Sequence, residues 1–195
     1  MNNILKLQYL DWIDSVKGFA ILLVIVGHCI DGYRDAGIFK QYLAEFNAAH
    51  DFIYAFHMPL FFMISGYLFL YAYKDIEIKK LKAKLIDLIG VYFLFSFVQI
   101  CVQILLKGNI NRNLGVENIL LLPIYTVPPY WYLYVLCFLY LLTYLLQKTV
   151  SINRVLMITL CLAFSSQYIT TNALEMHHIL YYWYFFALGG TCMVN

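Results

Sequence analysis

The chain has 195 residues, 63% of them hydrophobic and 12% charged, with a formal net charge of +2. An ordinary soluble domain is roughly 45–50% apolar and about 25% charged, so this composition excludes a water-soluble globule and predicts an integral membrane protein whose first partner is the lipid bilayer. The basic residues are too few and too dispersed for a nucleic-acid partner.

The first apolar run is "WIDSVKGFAILLVIVGHC", Trp12 to Cys29. Asp11 and Asp14 stand where a signal peptide would be basic and no small-residue cleavage site follows, so the segment is expected to stay attached. Spans are expected wherever about 20 apolar residues follow one another. The first is predicted over 13–30 and the second over 52–73, with Pro59 either opening or kinking it. The third is predicted over 85–106. Prolines at 123, 128 and 129 break any helix in "LLLPIYTVPPYW". A fourth span is expected over 130–146, a fifth over 154–166 and a sixth from about residue 179. The fold class is therefore all-α, a polytopic transmembrane helical bundle of about six spans. Aromatic residues, 18% of the chain, suit helix ends at headgroup level.

With the N-terminus in the cytoplasm, the inner segments hold Lys6, Lys17, Lys74, Lys79, Lys80, Lys82, Lys84, Lys148 and Arg154. The outer ones then hold Arg34, Lys40, Lys107 and Arg112. Nine against four predicts a cytoplasmic N-terminus in a multi-pass protein of the cell membrane. The five cysteines, Cys29, Cys101, Cys137, Cys161 and Cys192, show neither CxxC nor metal-ligand spacing and read as small buried hydrophobes. No metal is expected.

Ionisable groups at membrane depth are costly and mark candidate sites. Lys17 and His28 are 11 residues apart, which brings them within about 20° of one another on a helix. Asp14 shares that face, giving a stripe of Asp14, Lys17, Ile21, Val24 and His28 with apolar packing between its ends. Alone, Lys17 reads as a snorkelling anchor and His28 equally as an interfacial or a functional residue; the pair on one face tips toward function. In "FHMPLFFMISGY", His57 lies at the outer end of the second span and can approach His28, while Ser65 and Gly66 permit close helix approach. Gln99 and Gln103, one turn apart, suit interhelical hydrogen bonding. Glu117, Glu175, His177 and His178 fall in outer loops and are expected to be solvated.

These motifs resemble the membrane-bound acyltransferase 3 family, the O-acetylases of sugars and surface polysaccharides. The basic residue, ten residues and histidine of its first span are matched by Lys17 and His28 within "DSVKGFAILLVIVGH". "FHMPLFFMISGY" is similar to its second-span signature, especially in the fucose-acetylase-like branch. "YWYLYVL" and "FFALGG" resemble later spans. The resemblance implies a single acyltransferase 3 domain over 1–195; members commonly carry more spans, so it also implies a C-terminally truncated, N-terminal part.

It further implies transfer of an acyl group, acetyl above all, from cytoplasmic acyl-CoA to a hydroxyl of a sugar or cell-surface polysaccharide. His28 is then the general base, and Lys17 joins it as a catalytic residue that binds the donor. Lys80, Lys82 and Lys84 would hold the donor phosphates as point charges. His57, Asp14, Ser65 and Trp131 would contact the acceptor. Acetyl-CoA is a donor substrate on this reading, and no tightly bound cofactor is expected. Direct transfer and a covalent acyl-histidine both remain open. Two other readings compete: a transporter or flippase with Lys17, His28 and His57 along its pathway, and an inactive truncated remnant.

Overall fold

A computed structural model describes residues 3–37, 40–73, 78–106, 115–171 and 173–194. Lys74, Lys107 and Arg112, which bear on the orientation, lie outside these residues. Among them the secondary structure is helical throughout: α1 (Asn3–Asp35), α2 (Leu43–Tyr73), α3 (Ile78–Leu105), α4 (Glu117–Leu121), α5 (Trp131–Gln147), α6 (Ile152–Ser166) and α7 (Met176–Val194), with single 3-10 turns at Lys40–Tyr42 and Ala173–Glu175. The all-α membrane bundle is thus observed.

Helices stand at all six expected spans. Three of them are long and apolar enough to cross a membrane, over Asp11–Arg34, Lys40–Tyr71 and Ile78–Leu105. The fourth and fifth, α5 and α6, are apolar but have 17 and 15 residues, short of the roughly 20 that a bilayer crossing takes. The second span starts well before the expected residue 52, because Glu45, His50 and Asp51 extend the helix as a polar N-terminal part. Pro59 lies inside α2 and does not open it; its missing N–H leaves one backbone bond of the helix unmade, which a membrane helix tolerates.

The chain divides into two compact units, residues 1–64 and 65–195. In the first, α1 is antiparallel to the N-terminal part of α2. Ile13, Ala20 and Gly27 are buried at seven-residue spacing, and a Cβ on Gly27 would meet the Tyr54 ring at 3.1 Å. That face is what α1 packs. The stripe from Lys17 to His28 lies about 60–80° from Ala20 around the helix, at the edge of the packed face. Apolar packing between its ends is therefore not observed: Ile21 is 51% exposed.

In the second unit, α7 packs on α6 and α5, and α3 on α5 and α4. Phe69 meets Tyr140 edge-on at 4.9 Å and Phe186 at 5.5 Å, forming an aromatic centre. The buried indole of Trp183 donates to Thr143 Oγ1 at 2.9 Å. Tyr92 donates to the Leu122 carbonyl at 2.8 Å and anchors a cluster with Ile100, Leu122 and Val127. Of the cysteines, all free, only Cys137 is buried. The expected burial of the others is corrected: Cys29, Cys161 and Cys192 are exposed, on helix faces that an apolar environment would cover.

Gly66 sits against the backbone of α7, where a Cβ would collide with the Phe186 carbonyl. A carbonyl fixed within a helix cannot move aside. Gly66→Ala is expected to destabilise the protein by about 1–3 kcal/mol, read as a lowered thermal midpoint in detergent; an unchanged midpoint would refute the close approach.

Candidate active site

Asp31 continues the packed face of α1, about 20° from Ala20, so its carboxylate points at α2. There Tyr54 donates its hydroxyl to Oδ2 at 2.9 Å and His50 places Nε2 3.2 Å from Oδ1. From its own helix, Arg34 approaches Oδ1 at 3.7 Å and His28 Nδ1 lies 3.9 Å from Oδ2. The last is an ion-pair separation rather than a hydrogen bond. His50 bridges two carboxylates, since its Nδ1 is 3.0 Å from Asp51 Oδ1, and its ring stacks on Tyr54 at 4.2 Å.

His57 completes the face formed by His50 and Tyr54, with the spacing i, i+4, i+7. It is 2% exposed. Its ring meets Tyr54 edge-on at 4.7 Å. Nδ1 is 2.6 Å from the Ile53 carbonyl. A carbonyl only accepts, so Nδ1 carries the proton and a neutral ring leaves the Nε2 lone pair for chemistry. His28 and His57 are linked through Asp31 and Tyr54, His28 facing the carboxylate and His57 meeting the Tyr54 ring.

The other expected site residues are dispersed. Lys17 Nζ lies 3.4 Å from Asp14 Oδ1 in a solvent-accessible pair. Ser65 and Tyr132 share a hydrogen bond of 2.8 Å between hydroxyls. Lys80 and Lys84 share a face of α3, whereas Lys82 points about 160° away from each. Gln99 donates to the Pro128 carbonyl at 2.8 Å, tying α3 to the proline-rich loop.

Trp131 stacks on His178 at 4.4 Å, which leads to a second polar constellation. Glu175 is not the solvated loop residue that the sequence suggests: its side chain is 13% exposed. Oε1 accepts from Thr126 Oγ1 and Oε2 from His178 Nδ1, each at 2.5 Å. His177 donates from Nδ1 to the Ser166 carbonyl at 2.9 Å. Leu174 and Glu175 both adopt left-handed backbone, at φ 56° and 52°, which costs non-glycine residues about 1–3 kcal/mol each. Burial alone would push the Glu175 carboxyl up, but the hydrogen bonds from His178 and Thr126 and the charges of His178 and His177 outweigh it and hold the group below its ordinary 4.5.

Sequence reasoning missed Asp31, His50 and Tyr54. Their signal is periodic: Asp31 extends the Ile13, Ala20, Gly27 seam, and His50, Tyr54 and His57 recur on one helical face. Among the described residues, no three His, Cys, Asp or Glu side chains converge as metal ligands.

The acyltransferase 3 family, described as an acyltransferase domain, matches residues 10–193. A stretch of 57 residues is 47% identical to the nodulation protein NolL of Sinorhizobium fredii (strain NBRC 101917 / NGR234), covering 28% of this chain and 14% of that protein. No solved structure matches. The family match spans nearly the whole chain, and the chain belongs to the acyltransferase 3 family.

Two outcomes follow from the geometry. Asp31→Asn keeps the shape of the side chain but removes the charge that His50 and Arg34 face, and is expected to lower stability by about 1–3 kcal/mol in detergent unfolding; equal stability would show the cluster to be idle. The depressed carboxyl of Glu175 contributes stability that is complete above its ordinary 4.5 and is lost as pH falls through its lower folded value. Glu175→Gln should therefore remove part of the acid-side fall in the melting temperature, and an identical acid limb in both proteins would contradict the pairing.

Proposed function

We propose that this member of the acyltransferase 3 family transfers an acyl group, acetyl in the simplest case, from acyl-CoA to a hydroxyl of a sugar or cell-surface polysaccharide. The observation that carries the reading is the constellation around Asp31, where His28 of α1 and His50 of α2 face the carboxylate and His57 follows through Tyr54. An alcohol is a poor nucleophile at neutral pH, and imidazole is the side chain suited to take its proton.

In the reaction, His28 accepts the acceptor's hydroxyl proton as its oxygen attacks the thioester carbonyl. The tetrahedral adduct collapses, the C–S bond breaks, and the leaving CoA thiolate takes the proton. Asp31, beside the ring, favours the imidazolium formed midway. Lys17 supplies a cation for the donor's phosphates once it exchanges Asp14 for them. On α3, Lys80 and Lys84 offer a second pair of cations on one helix face, with Lys82 turned elsewhere.

A second assignment has its own support. His57 is buried, and its Nδ1–H is committed to the Ile53 carbonyl, so a base of fixed tautomer is already formed there, whereas the side chain of His28 is 44% exposed. His57 is then the base and His28 its neighbour at the acceptor.

Reconstituted protein supplied with labelled acetyl-CoA and envelope glycan distinguishes these assignments. His28→Ala is expected to lower turnover about 10²–10⁴-fold with donor affinity retained, and Lys17→Ala to raise the donor KM. If only His57→Ala removes turnover, the base is His57. Native transfer that survives both histidine substitutions would sink the general-base reading.

A further inference from the structure

We propose that the pocket lined by Ile169, Thr171, Glu175, His177 and His178 is a saccharide site that seats one ring of the hydroxyl-bearing acceptor. The proposal rests on the acyl-transfer reading for the word acceptor, and on the pocket itself for the saccharide. The cavity measures about 240 Å³, below the roughly 300–1,000 Å³ that drug-sized ligands occupy, and so takes a single small unit.

Its chemistry matches hydroxyl groups, which donate and accept at once. Each Glu175 oxygen already accepts one hydrogen bond, from Thr126 or from His178, and a carboxylate oxygen has a second lone pair to give. His177 and His178 both commit Nδ1, to the Ser166 carbonyl and to Glu175, so the Nε2 of each is left for a hydroxyl, as acceptor on a neutral ring and as donor on a protonated one. Thr171 Oγ1 accepts from the Ala173 N–H at 3.1 Å and retains its own proton to donate. Two carboxylate oxygens, two imidazole nitrogens and a threonine hydroxyl suit a polyol. A phosphate would face the Glu175 charge, which argues against the nucleotide donor at this place.

The construction of the pocket also exceeds what a loop latch needs. The Thr126 bond and the Leu174 N–H to the Ile124 carbonyl, at 2.7 Å, already tie the two loops. Neither explains two orientated imidazoles, a Trp131 ring stacked behind His178, or consecutive left-handed residues that deliver the carboxylate. Strained backbone of this kind is concentrated where a side chain must be presented to a ligand. On the orientation that the lysines and arginines predict, Thr171 and Glu175 lie on the side away from the cytoplasm, toward envelope sugars.

The test uses the full chain in detergent, with methyl glycosides of hexoses and 6-deoxyhexoses as probes, followed by tryptophan fluorescence, and acetyl-CoA binding measured in parallel. At least one glycoside should bind the native chain. Thr171→Val, which lies outside the clamp, and His178→Gln should each weaken it by about tenfold, leaving acetyl-CoA affinity unchanged. No glycoside binding to the native chain, or undiminished binding in Thr171→Val and His178→Gln, overturns the site. Glycoside binding without transfer in any preparation removes the acyl-transfer reading and leaves the saccharide site; transfer with an unchanged acceptor KM in the pocket variants does the reverse.

Discussion

A carboxylate on the packed face of a membrane helix must be answered by donors, and Asp31 draws Tyr54 and His50 from the facing helix and Arg34 and His28 from its own. In low dielectric an unanswered charge is costly, so this one residue constrains several others. It sets the register of α1 against α2, because the Tyr54 hydroxyl reaches Asp31 while its ring covers Gly27. With that register fixed, His28 and His50 both face Asp31, and His57 meets the Tyr54 ring.

The second unit solves a similar problem in a loop. Glu175 is delivered by two residues in left-handed backbone and answered by Thr126 and His178. The helix that follows, α7, packs through the aromatic centre of Phe69, Tyr140 and Phe186 and against α2 at Gly66.

Much of this was legible in the sequence, and the reason is periodicity. Apolar runs located six helices, because a bilayer requires length and hydropathy before anything else. Lys17 and His28 stood out because a polar residue in such a run is conspicuous. His50 and Asp31 did not, because they lie at the ends of the runs, where polar residues are ordinary; their meaning depends on which face of each helix is packed. Glu175 was misread for the same reason, as loop position says little about whether a neighbouring loop will cover it. The helix boundaries at Leu43 and Ile78 also precede the hydrophobic onsets, since a helix continues into its polar flank as long as its backbone bonds are met.

The sequence by itself determined that the protein is helical and membrane-embedded, which family it resembles, and that histidines and a lysine punctuate its first two spans. These follow from composition and from spacing along one helix, which are local properties. Only the tertiary structure decided that Asp31 gathers His50 and Tyr54, that the Nδ1 of His57 is committed to a backbone carbonyl, and that Thr126 and Glu175 meet across 49 residues. Such pairings depend on the rotation of one helix against another, and no spacing within a single segment encodes that angle.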